Sequence, residues 1–435
     1  MAHAFHINQD STSPIAQATK RSWIVVLVAS LFFFYEFIQM NMFNSISVSL
    51  MHAFHIDAGR LGDLSSFYFI ANVVFLFFAG ILLDRCSTRR VILSALAICI
   101  LGTLMFSFAT SFDWACFFRF LTGIGSAFCF LSVIRLASRW FPSHQMALVL
   151  GIVLTIAMLG GFVSQTPMEL LAHTFHWRTA LQIDAAFGVL IFLLIFTTVH
   201  DYPDDHVSIH LSEQAMIQEI GYFQSMRMAF LRLQNWLGGL YVCFVNLPVG
   251  LLGGLWGVLY LTGTHDISRV NASEISSMLF MGTMLGAPLS GWISDKMGLR
   301  KPLMLLGAVI SFALVILVMV AHHLSFYAWI ILFVSIGLFT STQIIAYPLI
   351  VENSKRMITA MSVSVINISV QAGSGLFQPF FGYLLDKHMF MRVHQITTHF
   401  SASDFSWAMW IFPIGFVLAA MLVFVLPETH CRQKD

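Results

Sequence analysis

The chain alternates between long apolar stretches and short polar breaks. Twelve stretches are long enough to cross a hydrocarbon core of about 30 Å, which takes about 20 residues of helix. The first six lie at roughly 23–51, 61–83, 91–110, 113–138, 145–170 and 178–199, and the other six at roughly 236–261, 273–296, 302–322, 325–350, 357–386 and 405–427. This pattern predicts an all-α membrane protein with twelve transmembrane helices.

A single long polar connection, residues 200–235, divides the twelve predicted spans into six plus six. We therefore expect an N-terminal bundle over 23–199 and a C-terminal bundle over 236–427, with polar tails at 1–22 and 428–435. The apolar stretch after the first tail is much longer than the core of a signal peptide, so we interpret 1–22 as a tail and not as a cleaved leader.

Composition agrees with a chain that faces lipid. Of the 435 residues, 58% are hydrophobic and only 10% are charged, whereas about a quarter of the residues of soluble domains are charged. A net charge of +1 provides no basic surface for nucleic acid. The six cysteines show neither a C-x-x-C pair nor histidines at ligand spacing, so we expect core residues and no metal site.

The lysines and arginines predict the orientation, because cytoplasmic loops retain them. With the N-terminus inside, sixteen of the 22 fall inside and one, Arg119, lies within a span. The remaining five fall outside, namely Arg60, Arg178, Arg269, Lys387 and Arg392. Both termini and the central connection are therefore expected to be cytoplasmic.

A charged segment occurs once in each predicted bundle, between two spans. It reads Gly80-Ile-Leu-Leu-Asp84-Arg85-Cys-Ser-Thr-Arg89-Arg90 and then, 211 positions later, Gly291-Trp-Ile-Ser-Asp295-Lys296-Met-Gly-Leu-Arg300-Lys301. Each aspartate could bond to an arginine or to the N-terminus of a neighbouring helix and hold the cytoplasmic side shut. The alternative is a simple topology anchor. The predicted gate residues are Gly80, Asp84, Arg85, Arg89, Arg90, Gly291, Asp295, Lys296, Arg300 and Lys301.

The repeated segment resembles the motif G-x-x-x-D-R/K-x-G-x-R-R/K of the major facilitator superfamily, and the resemblance extends over essentially the whole chain. The second copy matches fully, whereas the first has Ser87 in place of the usual glycine. The resemblance implies a monomeric secondary transporter, not an enzyme, with two six-helix bundles related by pseudo-two-fold symmetry. No nucleotide-binding motif or cofactor site is recognised, so an ion gradient is the expected energy source.

Glu36 is the clearest ionisable residue within a span, about 20 Å into the first predicted helix at 1.5 Å per residue. Burying a charge in a bilayer costs at least about 2.5 kcal/mol, so its presence requires a reason. Gln39, Asn44 and Ser47 share its broad helical face. We expect Glu36 to carry a proton or bind substrate; a structural acid satisfied by a neighbouring helix is the alternative.

Arg119 begins the segment Arg119-Phe-Leu-Thr-Gly123-Ile-Gly125, which resembles the R-x-x-x-G-x-G motif of the fourth helix of the family. There the arginine is associated with proton coupling or with substrate charge. Arg119 and Glu36 are therefore a candidate couple, and a structural ion pair is the alternative. Glu169 and Asp184 lie nearer the predicted outer ends of their helices, so we expect both to be interfacial.

Uncharged polar residues within the spans predict a central cavity. Ser364, Asn367, Gln371, Ser374 and Gln378 recur at spacings of 3 and 4, on one helical face. Prolines and glycines near Asn246 permit local unwinding at a midplane site. For any one amide, helix packing is as good an interpretation as substrate contact. The predicted cavity residues are Gln39, Asn44, Tyr68, Asn72, Asn246, Gln343, Tyr347, Asn367, Gln371 and Gln378.

Three features favour import across a bacterial inner membrane. The fifth predicted span lacks the glycine-proline core that antiporters of the superfamily usually carry. The run Arg139-Trp140-Phe141-Pro142 is similar to one in several uptake branches, and FFFYEFIQMNMFNSI in the first span is similar to phagosomal transporters of intracellular pathogens. The resemblance implies proton-coupled uptake of an amino acid, nucleoside or organic acid. A proton-driven exporter of a siderophore, drug or metabolite and a non-transporting sensor are the alternatives.

Overall fold

The computed structural model describes residues 19–142, 145–202, 222–321, 324–354, 359–393 and 400–431. Over these ranges the chain forms helices, and the described part contains no strand. Residues 1–18, most of the predicted central connection and residues 432–435 lie outside the described residues. The predicted all-α class is confirmed.

The described part of the N-terminal half contains nine α-helices. They are α1 (Lys20–Asn41), α2 (Phe43–Phe54), α3 (Ala58–Arg85), α4 (Thr88–Phe108), α5 (Phe112–Ser126), α6 (Cys129–Trp140), α7 (Met146–Val163), α8 (Thr166–Phe175) and α9 (Trp177–Thr198). Several predicted spans are thus pairs of helices separated by one or two residues.

The C-terminal half has ten α-helices in its described part, together with a π-helical and a 3-10 segment. They are α10 (Tyr222–Leu231), α11 (Leu233–Val245), the π-helix Val249–Trp256, α12 (Gly257–His265), α13 (Arg269–Met297), α14 (Lys301–Val320), α15 (Phe326–Thr340), the 3-10 helix Ser341–Ile345, α16 (Ala346–Asn353), α17 (Thr359–Val393), α18 (Ala402–Met409) and α19 (Ile411–Val425).

Nine helical segments of the described chain are long and apolar enough to cross a membrane. The pair Leu233–Val245 and Val249–His265, bent by 49°, makes a tenth. Helices α13 and α17, of 29 and 35 residues, are also long enough but carry more polar side chains. A multi-pass membrane protein is therefore established, while the count of twelve crossings and the orientation stay predictions.

The buried apolar side chains form two clusters. We call the end that carries both charged hairpins the cytoplasmic end, following the predicted orientation, and the opposite end the outer end. One apolar cluster, which includes Phe33 and Trp140, belongs to the N-terminal half alone. The other joins side chains of both halves, such as Phe43 and Leu50 with Leu255 and Phe381. The two halves are therefore packed together toward the outer end.

Candidate functional site

A buried acid, a tyrosine and an arginine meet in the N-terminal half. Glu36 of α1 is 3% exposed, and the hydroxyl of Tyr68 on α3 donates to its Oε1 at 2.5 Å. The guanidinium of Arg119, on α5, lies 4.5 Å from the ring centroid of Tyr68 and 4.1 Å from that of Phe43. Three separate helices thus bring the two predicted ionisable residues to one tyrosine, Glu36 to its hydroxyl and Arg119 to its ring face.

Arg119 is almost fully buried, yet only part of its guanidinium is bonded. Its Nη1 donates to the carbonyl of Gln39 at 2.7 Å, whereas Nε and Nη2 have no hydrogen-bond partner among the described residues. Gly123, one turn further along α5, allows the close approach of α3, because a Cβ there would lie 2.3 Å from the carbonyl oxygen of Tyr68. Nε and Nη2 of the arginine could therefore donate hydrogen bonds to a carboxylate.

A second buried acid lies in the same half. Asp184 of α9 is 7% exposed, and it accepts a hydrogen bond from Nε2 of Gln39 at 2.5 Å. Thr103 of α4 donates to Oε1 of the same glutamine at 2.7 Å. The expectation that Asp184 and Glu169 are interfacial is wrong, since both are buried; distance along a helix does not show which neighbour covers a side chain.

The C-terminal half presents uncharged polar side chains instead. Nε2 of Gln343 donates to Oδ1 of Asn246 at 2.9 Å, and the hydroxyl of Tyr347 donates to Oδ1 of Asn367 at 2.9 Å. These four residues and Gln371 are partly exposed within apolar helices. Each pair links two helices and leaves donors or acceptors for a further partner. These five are the predicted cavity residues that keep some exposure.

The other predicted cavity residues are buried. Tyr68 and Gln39 belong to the acid clusters described above. Asn72 donates to Oγ of Ser126 at 2.7 Å, and Gln378 donates to the carbonyl of Gly250 at 2.9 Å. In this conformation these side chains are buried, and Oε1 of Gln378 has no hydrogen-bond partner among the described residues. Their role as cavity residues stays a prediction.

Asn44, the remaining predicted cavity residue, connects the two halves at the outer end. Its Nδ2 donates to Oε1 of Gln165 at 2.7 Å, and its Oδ1 accepts the backbone N–H of Val258 at 3.0 Å. Gln165, at the junction of α7 and α8, donates to the carbonyl of Gly253 at 2.9 Å. Asn44 is therefore part of a contact that closes the outer end, not part of an open cavity.

The space beside three glycines of α7 and α13 differs along the length of this helix pair. At the outer end, a Cβ on Gly161 of α7 would lie 2.5 Å from the Phe280 ring of α13 in the other half. Toward the cytoplasmic end of the same helix pair, a Cβ on Gly151 or Gly291 would meet nothing within 4 Å. Helices α7 and α13 of the two halves therefore touch at Gly161 and Phe280, whereas neither glycine toward the cytoplasmic end has such a neighbour.

The second charged hairpin is bonded within its own half. Arg300 forms ion pairs of 2.6 Å with both Asp295 and Glu352 of α16. Burial alone would lower the pKa of Arg300, but the two carboxylates raise it above the ordinary value. Burial alone would raise the pKa of Glu428, but the backbone N–H groups of Arg300 and Lys301 lower it. Asp295 itself is 68% exposed.

The contacts recorded for the other described hairpin side chains lie within their own half. Lys296 lies 5.0 Å from the ring of Trp292. The backbone N–H of Arg89 donates to Asp201 at 2.7 Å, and Arg90 is exposed. The side chains of Asp84 and Arg85 lie outside the described residues. The predicted cytoplasmic latch therefore stays a prediction for a conformation in which this end is closed.

The departure of the first hairpin from the motif has a local explanation. Gly298 has φ 65°, a left-handed conformation that ends α13 and suits glycine. Ser87 has φ −58°, and its side chain caps α4 by accepting the N–H of Arg90 at 3.3 Å. The first hairpin uses a serine cap where the second uses a glycine turn, so glycine is not needed at position 87.

Comparison with known families decides what kind of protein carries this geometry. The family model of the Major Facilitator Superfamily matches residues 28–254 and again 238–434. The chain belongs to the major facilitator superfamily. Two consecutive matches of one model agree with the duplication seen in the charged hairpins, and members of this superfamily are transporters, not enzymes.

Two curated superfamily relatives differ in what their names say. The membrane sensor protein UhpC of Salmonella typhimurium is 24% identical over 61% of this chain and 63% of its own length, so the chain spans less than two thirds of it. The uncharacterized MFS-type transporter YceJ of Bacillus subtilis is 25% identical over 88% of this chain and 92% of its own length.

A solved superfamily structure has the same fold. A bacterial homologue of the human lysosomal transporter Spinster, solved in an inward-facing and unoccupied conformation, aligns with a TM-score of 0.72. It is 19% identical and covers 94% of this chain and 98% of its own. The fold of a major facilitator transporter is thereby confirmed for this chain.

Sequence reasoning missed three residues that the structure places at important contacts. Gln165 and Asp386 join the two halves, and Glu352 completes the charged hairpin of the C-terminal half. Glu352 could have been noticed as an acid at the predicted cytoplasmic end of a span. Gln165 carries no distinguishing pattern. Asp386 does, because it follows Gly382 at the spacing of the hairpin motif.

Proposed function

We propose that this transporter couples the uptake of a small polar metabolite to protons by alternating access, with both termini cytoplasmic in a bacterial inner membrane. One observation carries the proposal: the buried acid Glu36 shares Tyr68 with Arg119 in one half, opposite a half with uncharged amides. A charge-bearing half suits an ion, and an amide-bearing half suits a polar solute.

Coupling follows from the cost of a buried charge. A carboxylate in an apolar interior is stable when it is protonated or when it is paired with a cation. Glu36 is hydrogen-bonded to Tyr68, while two N–H groups of Arg119 have no partner among the described residues. Loss of the proton from Glu36 would draw these donors to its carboxylate. Such a shift would move α5 relative to α1. It would link the protonation state of Glu36 to the opening and closing of the two ends of the transporter.

The amide cluster suits a polar substrate. Asn246, Gln343, Asn367 and Gln371 offer both donors and acceptors, on helices that the substrate would reach from the cytoplasmic end in this conformation. Amino acids, nucleosides and organic acids all carry groups that such amides can bind. For an organic acid, Arg119 would be the candidate cation.

An exporter and a sensor are the two alternatives to uptake, and each predicts a different behaviour of the substrate. An exporter would use the same acid and arginine but would deplete cells of substrate along an imposed proton gradient. A sensor, the role named for the UhpC relative, would bind a ligand without moving it. The absence of a glycine-proline core in α7 supports uptake.

The test begins with a thermal-shift screen of the purified protein against amino acids, nucleosides and organic acids, since bound ligand raises the melting temperature. The compound found is then followed in proteoliposomes. Glu36→Gln should abolish accumulation driven by a pH gradient and retain exchange of labelled for unlabelled substrate. Asp113→Asn, an exposed carboxylate of the same half, is the matched control.

Persistence of uphill accumulation in Glu36→Gln would place proton coupling elsewhere. Binding without exchange in the parent protein would favour the sensor. Loss of substrate from vesicles whose interior is alkaline would favour the exporter.

A further inference from the structure

Helices α3 and α17, one from each half, form a closely packed antiparallel joint. A Cβ on Gly62 would lie 2.3 Å from Cα of Pro379, and one on Gly375 would lie 2.9 Å from Cβ of Phe69. A Cβ on Gly382 would lie 2.3 Å from the carbonyl oxygen of Ala58. The two backbones are therefore in contact where α3 begins, at the outer end.

The carboxylate of Asp386 closes this joint. The backbone N–H groups of Ala58 and Gly59 donate to its Oδ1 and Oδ2 at 3.2 and 2.6 Å, and its exposure is only 8%. The next N–H group, that of Arg60, donates instead to the side chain of Asp57 at 2.8 Å. The first turn of α3 is thus capped twice, once by the opposite half and once by its own.

The sequence around Asp386 repeats the core of the charged hairpins. It reads Gly382-Tyr-Leu-Leu-Asp386-Lys387, with the spacing of Gly80-Ile-Leu-Leu-Asp84-Arg85. Because α3 and α17 are antiparallel, each carries this motif toward the end of the pair at which the other helix begins. In this conformation the motif of α17 contacts the start of α3. Neither the family hairpins nor the candidate substrate residues include Asp386.

We propose that Asp386 is an outer latch, which stabilises the conformation closed at the outer end and is released when that end opens. In this arrangement the α3–α17 pair carries one latch at each end. The outer latch is formed in the conformation described here, and the Asp84 motif would form its counterpart when the cytoplasmic end closes. The inference rests on alternating access from the proposed function, but not on protons, substrate or direction.

The strength and position of the two hydrogen bonds explain why Asp386 would stabilise the conformation closed at the outer end. A carboxylate at a helix N-terminus is favoured by the partial positive charge of the helix, and bonds to a charged acceptor are stronger than neutral ones. Both bonds cross between the halves, so both are lost when the outer end opens. Removal of the charge should raise the outward-open population about tenfold.

Hydrogen exchange of the full-length protein in detergent, without substrate, tests the latch. Asp386→Asn keeps the shape of the side chain and removes its charge and one acceptor. We expect amide exchange to accelerate about tenfold in two places: at the start of α3, and in Val249–Leu261, where the N–H of Val258 bonds to Asn44 across the halves. The second place is remote from Asp386 in sequence and reports opening of the whole outer end.

Asp57→Ala is the matched control, because it weakens the cap of the same helix from within its own half. It should accelerate exchange at the start of α3 only. If Asp386→Asn behaves like Asp57→Ala, Asp386 is an ordinary helix cap and the latch is refuted. Gly382→Ala is a second variant, which separates the two helices sterically and leaves the carboxylate intact. Unchanged exchange in Val249–Leu261 of this variant would also overturn the proposal.

Discussion

Gly291 offers a test of alternating access by rocking of the two halves against each other, because an added Cβ there has no neighbour in this conformation. A Cβ at this position of α13 would meet nothing within 4 Å, and the same holds for Gly151 of α7. At the outer end of the same helix pair, a Cβ on Gly161 would come within 2.5 Å of Phe280. If rocking exchanges the closed and open ends, the cytoplasmic ends of α7 and α13 must approach as closely.

We therefore expect Gly291→Leu to fold normally and transport poorly. In the present conformation the new Cβ has no neighbour within 4 Å, and replacing glycine within a helix stabilises it by about 0.5–1 kcal/mol. In the conformation closed at the cytoplasmic end, the same side chain would overpack the joint at a cost of about 1–3 kcal/mol. That cost lowers the population of the conformation about 5- to 150-fold.

The assay compares melting temperature, substrate binding in detergent and uptake into proteoliposomes. Gly291→Leu should leave the first two at or above the parent values and reduce the third. Leu289→Trp, on the same helix at a residue that is 46% exposed, controls for added bulk alone. Unchanged uptake by Gly291→Leu would refute the reasoning, since Gly291 would then face lipid in both conformations.

Three further predictions concern charged side chains. Arg300→Met should lower the free energy of unfolding by about 3 kcal/mol, because it leaves Glu352 without its cation. In a double-mutant cycle of melting curves, adding Glu352→Gln should recover part of that loss. Additive losses would show that the pair is not coupled. Asp295→Asn, at an exposed residue, should barely change stability yet slow transport if the predicted latch exists, and equal rates would reject that latch. Arg119→Lys should impair transport more than folding, because an ammonium cannot reproduce the stacked guanidinium; parental transport would show that any cation suffices.

The helices were predictable from sequence because a span needs little more than length and apolar composition. The breaks within them were not. Asn41 bonds through its side chain to the carbonyl of Phe37 next to the interruption at Met42, and such competition with the backbone depends on local geometry. Gln165 interrupts another predicted span where its side chain reaches the opposite half.

The candidate site was predictable in part, for a related reason. Glu36 and Arg119 stand out because burying charge in a membrane is costly, and the structure places both beside Tyr68. Helical periodicity shows that a polar side chain faces inward, but it does not show which partner it meets. The sequence pattern therefore predicts Asn44 to be a cavity residue, whereas it bonds across the halves at the outer end, and it predicts Asp184 to be interfacial, whereas it is buried.

The π-helical segment Val249–Trp256, which begins directly after Pro248, sets the rotational phase of its span. Each residue of a helix advances the chain by about 100°, and a π-helical turn accommodates extra residues. The segment thereby lets Asn246 face the amide cluster while the N–H of Val258 faces Asn44 of the other half. Deleting one residue here would rotate one of these faces away from its partner, so the length of this segment is constrained more tightly than the identity of its side chains.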